Sequence, residues 1–424
     1  MLLLLLSCVP KNPSPPSVQV ETFEYVWKLV GQVYPDPDMG GVDWRAVHDE
    51  LLPKAQEAET ADQLRPTLGD MIGRLEVSHF AVYPGTKHEP EFSSVSSGDP
   101  RHWVAQDNSA DVGIEVRFVD GALLVTRVRS GSAAAEAGVQ AGWTIHSIDG
   151  TQVSVQLGEQ DPEDPEVQGT MARAASKAFR GAAGESLSLV ALTPEGEQRP
   201  LELERRATPG EVVQVGFMPP MTTEFEAWRA RGDVGVLRFN VFMPPVAPQA
   251  EAALSELAAT EAPGVVFDLR GNPGGVLAIG AGLAGYLVDE RSSLGTMISR
   301  DGDLNLVVFP RPPAQRIDGP VAILVDELSF STSEVLAHGL QATGRARVFG
   351  TPTVGACLPS TVDILPNGDR LQYVLADLVG PTGVRIEGVG VTPDEIIPVD
   401  IDALKAGQDP VLEAALCWIL EDCE

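Results

Sequence analysis

The sequence predicts a multidomain α/β protein: an N-terminal helical segment, a β-rich middle and an α/β core. Three observations carry that reading. The chain has 424 residues, too many for one ordinary core. Near the N-terminus apolar residues recur at three-four spacing, in Phe23, Val26, Trp27 and Val30 and again in Leu64, Leu68, Ile72 and Leu75. From about residue 210 to 400, short apolar runs (234–239, 264–269, 321–325 and 347–350) read as buried parallel strands, and helical stretches (250–259, 278–287 and 333–343) lie between or after them.

Residues 1–17 begin Met-Leu-Leu-Leu-Leu-Leu-Ser-Cys and continue into a Pro- and Ser-rich stretch. The opening resembles a bacterial lipoprotein signal, in which Cys8 would be lipidated and the stretch after it would act as a tether. That resemblance implies a lipid anchor and a place at the cell envelope, on its periplasmic or extracellular face. An ordinary apolar N-terminus is the alternative. Nothing later in the chain approaches the length of a spanning helix.

Thirty basic against 60 acidic residues give a formal charge of −30, which argues against nucleic acid or an anionic membrane surface as partner. Of the four cysteines, Cys417 and Cys423 could pair in an exported protein, whereas Cys357 reads as a small buried residue. The histidines are scattered and no paired Cys motif occurs, so no metal site is expected.

The helical domain is placed at 18–95. A turn cluster at 35–41, Pro-Asp-Pro-Asp-Met-Gly-Gly, separates two of its helices, and residues 76–83 switch to strand-like alternation. Residues 84–108 are polar and proline-containing, like a linker. In the domain at 96–209, Val112-Gly-Ile-Glu-Val-Arg-Phe118 is followed by a strand at 123–128, a short helical stretch within 131–138 and a strand and turn at 141–150. This order resembles a PDZ domain. The resemblance implies that Val112, Gly113 and Ile114 form a carboxylate-binding loop for the end of a peptide held by strand addition. An acidic insert at 159–166 departs from a compact example. The core is placed at 210–405 and a C-terminal tail at 406–424.

Four segments carry the chemistry. Ser331 lies after the strand run 321–325 and at the start of a helix, where a turn can expose a hydroxyl and free amides point at developing negative charge. Ser331-Thr-Ser-Glu334 is equally a formal capping box. The string Asp-Leu-Arg-Gly-Asn-Pro-Gly-Gly at 268–275 follows another strand run, and its glycines let the backbone approach a ligand. Leu-Glu-Val-Ser-His at 75–79 supplies Ser78 and His79, and Glu-Gly-Val-Gly-Val-Thr-Pro-Asp at 387–394 supplies Glu387.

Together these segments resemble the C-terminal-processing and tricorn-type serine peptidases, over about residues 18–400. The resemblance implies an α/β core of the ClpP/crotonase-like kind and a serine endopeptidase acting on polypeptides without a cofactor. Ser331 would be the nucleophile, and the Gly275 and Thr332 amides the oxyanion hole. The processing branch uses a lysine about 25 residues after the nucleophile, but Ala356 stands there and no lysine occurs between Lys177 and Lys405. The tricorn-type arrangement instead implies His79 as base, with Ser78 and Glu387 in support. The rival reading is an inactive homologue that binds peptides through its PDZ-like domain.

Overall fold

The computed structural model describes residues 17–85, 110–217 and 220–422. Cys8 and the rest of the signal-like stretch, most of the linker and Cys423 lie outside the described residues. No helix among them is long and apolar enough to cross a membrane.

Three helices open the chain: α1 (Val18–Val33), α2 (Trp44–Glu57) and α3 (Ala61–Gly73). Each begins where a side chain accepts an otherwise unpaired amide, from Ser17, Asp43 and Thr60, and Gln63 completes a capping box with Thr60. Their apolar stripes meet in one cluster that includes Phe23, Val26, Leu51, Leu64, Leu68 and Met71. Leu365, Leu371 and Tyr373, from far along the chain, join it. The strand Ala81–Tyr83 pairs antiparallel with Arg370–Val374, which in turn pairs with Ser360–Ile364. The N-terminal unit is therefore clamped to a late part of the chain. Arg65 forks onto Asp369, both contacts at 2.9 Å, with 8% and 3% of the two side chains exposed.

The middle unit is an antiparallel sheet in the order Ile114–Val119, Ala122–Val128, Thr144–Ile148, Ser186–Leu192, Gln198–Glu204. Helix Pro165–Ala178 packs against its first strand. Phe118, Leu123, Phe179 and Leu187 fill the space beneath.

The core holds a six-stranded sheet, ordered Phe225–Arg229, Gly235–Phe239, Val265–Asp268, Val321–Val325, Ala346–Gly350, Glu395–Ile396. Only the first pair is antiparallel. Alternate residues face opposite sides. Leu237, Phe267, Ile323 and Val348 meet helices Val246–Ala259, Leu277–Ala284 and Thr332–Ala342 on one face. On the other face, Val236, Val266, Ala322 and Leu324 meet helix Pro410–Leu420 through Val411, Ala415, Leu416 and Ile419. The stretch set apart as a C-terminal tail is thus a layer of the core, because without it that face of the sheet would be bare. Every residue of Val321–Val325 is buried, as a strand covered on both faces must be. The loops at 269–275 and 326–331 both leave the carboxyl ends of neighbouring parallel strands, where such sheets bind ligands.

Candidate active site

Two loops are stitched into one platform. The buried Asp326 carboxylate accepts the amides of Gly271 at 2.9 Å and Leu328 at 3.0 Å. The Ser329 hydroxyl donates to Leu269 O at 2.8 Å, and Asn272 O accepts the Phe330 amide at 3.0 Å and the Ser333 hydroxyl at 2.9 Å. These bonds fix the entry to helix Thr332–Ala342, and they force Ser331 into φ 52°, ψ −118°. That conformation is strained for a residue with a side chain. A strained strand-to-helix turn of this kind can expose a hydroxyl.

Ser331 and Glu334 take up the capping-box arrangement, in which Glu334 reaches back to the Ser331 amide at 3.1 Å. Glu334 is fully buried and also accepts the amides of Gly355 at 2.8 Å and Ala356 at 2.9 Å, together with the Thr353 hydroxyl. Burial pushes its carboxyl up to about 7, against the pull of those four donors toward the charged form. The Ser331 amide itself donates to Ala356 O at 2.8 Å.

Facing Ser331 is the glycine loop. Phe242 N–H donates to Gly274 O and Val276 N–H donates to Phe242 O, both at 2.7 Å. In an extended segment the amide and carbonyl of one residue point the same way, so both polar groups of Gly275 point away from Phe242. Its carbonyl accepts the Thr332 hydroxyl at 2.9 Å. Among the described residues, neither the Gly275 nor the Thr332 amide donates a hydrogen bond. A Cβ on Gly274 (φ 90°) would stand 2.7 Å from both Ser331 Cβ and Thr332 N, so only glycine permits this approach.

The third part comes from the other end of the chain. Glu387 Oε1 accepts the Ser78 amide at 2.8 Å and its Oε2 accepts the Ser78 hydroxyl at 3.0 Å. Ser78 Oγ lies 2.7 Å from His79 Nδ1. The serine proton is committed to the carboxylate, so this network assigns the imidazole proton to Nδ1 and leaves Nε2 with a free lone pair. Burial lowers the His79 pKa below its ordinary 6.5, with the Glu387 charge opposing, and the ring is neutral at neutral pH. No hydrogen bond joins His79 to Ser331. They are connected through adjacent residues: Ser331 N–H donates to Ala356 O at 2.8 Å, and Cys357 N–H donates to Glu387 Oε2 at 3.0 Å.

The structure therefore brings Ser78, His79 and Glu387 into one chain of bonds, and Ser331, Gly275 and Thr332 into another. Val112, Gly113 and Ile114 belong to neither. They lie in the middle unit, where Gly113 and Ile114 line a cavity of about 410 Å³ between that unit and the core. Arg238 crosses this boundary, pairing with Asp268 of the core and Glu115 of the middle unit, and Arg270 adds pairs with Asp268 and Asp409 on the core side. Burial would raise the Asp268 pKa, but the two guanidiniums hold it well below the usual carboxylate range. Leu328, three residues before Ser331, packs into the apolar cluster of the middle unit, and Glu327 pairs with Arg117 on its first strand. Sequence reasoning singled out neither contact, since nothing local marks a loop that reaches into another unit. Cys357 is buried, as expected. No cluster of three or more His, Cys, Asp or Glu suited to a metal occurs among the described residues.

Residues 233–397 match the model of peptidase family S41, and residues 20–73 match the tricorn protease C1 domain. The chain thus resembles the S41 peptidases over its core. It is a serine-type peptidase, a hydrolase. The chain is 25% identical over 403 residues to a carboxyl-terminal-processing protease of Picosynechococcus sp., covering 93% of this chain and 88% of the relative. It is 27% identical over 403 residues to the chloroplastic C-terminal processing peptidase of Tetradesmus obliquus, covering 90% and 79%. Its fold is similar to that of the photosystem II D1 C-terminal processing protease, with TM-score 0.58, 21% identity and coverage of 92% and 97%. The tricorn protease crystal structure aligns with TM-score 0.53 and 16% identity, covering 97% of this chain and 38% of that one.

Proposed function

We propose that the chain is a histidine-type serine endopeptidase in which Ser331 attacks the scissile carbonyl of a polypeptide and His79 is its base. One observation carries this: the Ser78 hydroxyl bridges Glu387 and His79 Nδ1, which leaves Nε2 as a proton acceptor in a chain with no lysine between Lys177 and Lys405. Substrate entry would draw His79 Nε2 and Ser331 Oγ into hydrogen-bond reach, as catalytic pairs commonly tighten only in the complex. The hydroxyl proton then passes to Nε2 as Oγ bonds the carbonyl carbon. The carbonyl oxygen, now negative, lies against the unengaged Gly275 and Thr332 amides. The imidazolium keeps its Nδ1 proton toward Ser78 and is stabilised by the Glu387 charge. It returns the Nε2 proton to the leaving amine, the C–N bond breaks, and Nε2 next deprotonates the water that hydrolyses the acyl-enzyme. No cofactor enters.

The finer domain reading follows from the same residues. The middle unit is taken as a PDZ-like domain whose 112–114 loop holds a chain end, in keeping with the C-terminal processing named for the relatives. The parallel sheet with helices on both faces supports a core of the ClpP/crotonase-like kind. An anchor through Cys8 would place the enzyme at the cell envelope. One observation favours the inactive peptide-binding alternative: His79 and Ser331 share no hydrogen bond.

Labelling with a fluorophosphonate probe, followed by mass spectrometry of the modified peptide, decides between them. The expected product is phosphonylated Ser331. A folded chain that resists the probe and still retains a C-terminal peptide would establish the binding reading instead. A second outcome concerns Glu387→Gln, which keeps the shape of the network and removes its charge. The labelling rate should fall by about 10- to 100-fold. Because the Glu387 charge raises the His79 pKa, the acid limb of the pH profile should shift to lower pH. An unmoved limb would detach Glu387 from the base.

A further inference from the structure

The Thr332 side chain has a duty separate from that of its amide. Its hydroxyl donates to Gly275 O at 2.9 Å, while its own amide and that of Gly275 remain unengaged. The two donors of the oxyanion hole come from different loops, and this hydroxyl joins their parent residues directly. Gly275 needs such a tie. It has no side chain, sits at φ 133°, and is held on one edge only, through the Phe242 bonds to Gly274 O and Val276 N. On its other edge the carbonyl points to the same side as the amide, toward the place where an oxyanion would form. An unpaired carbonyl there would oppose the charge that the amides attract. Thr332 is 2% exposed, and its methyl abuts Gly280 of helix Leu277–Ala284, where a Cβ would come within 2.8 Å. Packing therefore holds the side chain in the rotamer that aims its hydroxyl at Gly275.

We propose that the Thr332 hydroxyl is a positioning group that fixes the Gly275 amide opposite the Thr332 amide and quenches the Gly275 carbonyl. This rests on the reading of Ser331 as nucleophile. Valine at 332 keeps the branched shape but presents a methyl to the carbonyl. Serine keeps the hydroxyl and loses the methyl. Alanine loses both.

The full chain and the three variants are titrated with one fluorophosphonate probe, whose phosphoryl oxygen occupies the oxyanion position, and kinact and KI are separated. Thr332→Ser should label within about threefold of the parent, and Thr332→Val and Thr332→Ala should lose about 10- to 100-fold in kinact with KI within about twofold. The alanine variant reads the loss of the hydroxyl even if the valine variant fails to fold. Equal kinact for the serine and alanine variants, or a loss confined to KI, overturns the inference and leaves the nucleophile assignment intact. A parent chain that is never labelled at Ser331 overturns the nucleophile assignment, and this inference with it.

Discussion

Replacing His79 with alanine should cut kcat/KM and the fluorophosphonate labelling rate by about 10³- to 10⁴-fold at neutral pH, with the fold unchanged. A serine hydroxyl is a poor nucleophile until a base takes its proton. On the proposed assignment that base is His79. The core contains no lysine between positions 177 and 405. His338, in helix Thr332–Ala342, turns its ring against Gly380 and leaves Nε2 buried without a partner. His48 is occupied by Glu24 and Asp49 in the N-terminal unit. The pH profile carries a second, independent reading. The base form of an imidazole is present above its pKa and is lost as pH falls through it. Burial lowers the His79 pKa, so the acid limb of kcat/KM should lie below the ordinary 6.5 of a histidine. An acid limb well above that would exclude a buried, neutral His79 as the base.

Arg65→Ala should destabilise the N-terminal unit by about 3–5 kcal/mol, the usual result of removing one partner of a buried ion pair. Asp369 is 3% exposed and would keep only the Gly85 amide and the Asn367 side chain as donors. The loss should reach the chemistry as well. Asp369 lies in the turn before Arg370–Val374, the strand that pairs with Ala81–Tyr83, and His79 is two residues ahead of that strand. Urea unfolding can be followed through Trp27 and Trp44, whose indole N–H groups donate to each other's backbone carbonyls at 2.9 and 3.0 Å. A midpoint shift equivalent to less than about 1 kcal/mol would show that the pair contributes no more than an exposed salt bridge.

Local chemistry explains which parts were legible in the sequence. Val321–Val325 is apolar at every position because it is covered on both faces, and Ser331 follows it at a junction that strand and helix patterns mark independently. The Ser-x-x-Glu spacing foretold that Glu334 would reach back to Ser331, though not that the same carboxylate would gather Gly355 and Ala356 as well. Helix Pro410–Leu420 was hidden because a short apolar stripe near a chain end does not say what it covers. Helix Pro165–Ala178 begins inside the acidic run 159–166, whose charge masks the periodicity that follows. Pairings such as Ala81–Tyr83 with Arg370–Val374 leave no local trace at all, since register over that separation is set by what each strand packs against. Arg65–Asp369 belongs to the same class.

Ser78 and Glu387, hydrogen-bonded to each other, are 309 positions apart. A peptidase is a hazard to the cell that makes it, and most of all to its own half-made copies. On the proposed assignment this chain meets that hazard by geography. The base arrives on the ribosome first and the carboxylate that orients it among the last, with the nucleophile in between, so a nascent or partly unfolded chain holds no working relay. The same arrangement makes failure safe. A molecule whose N-terminal unit lets go would lose its base with it, and so would cease to be an enzyme as it begins to unfold.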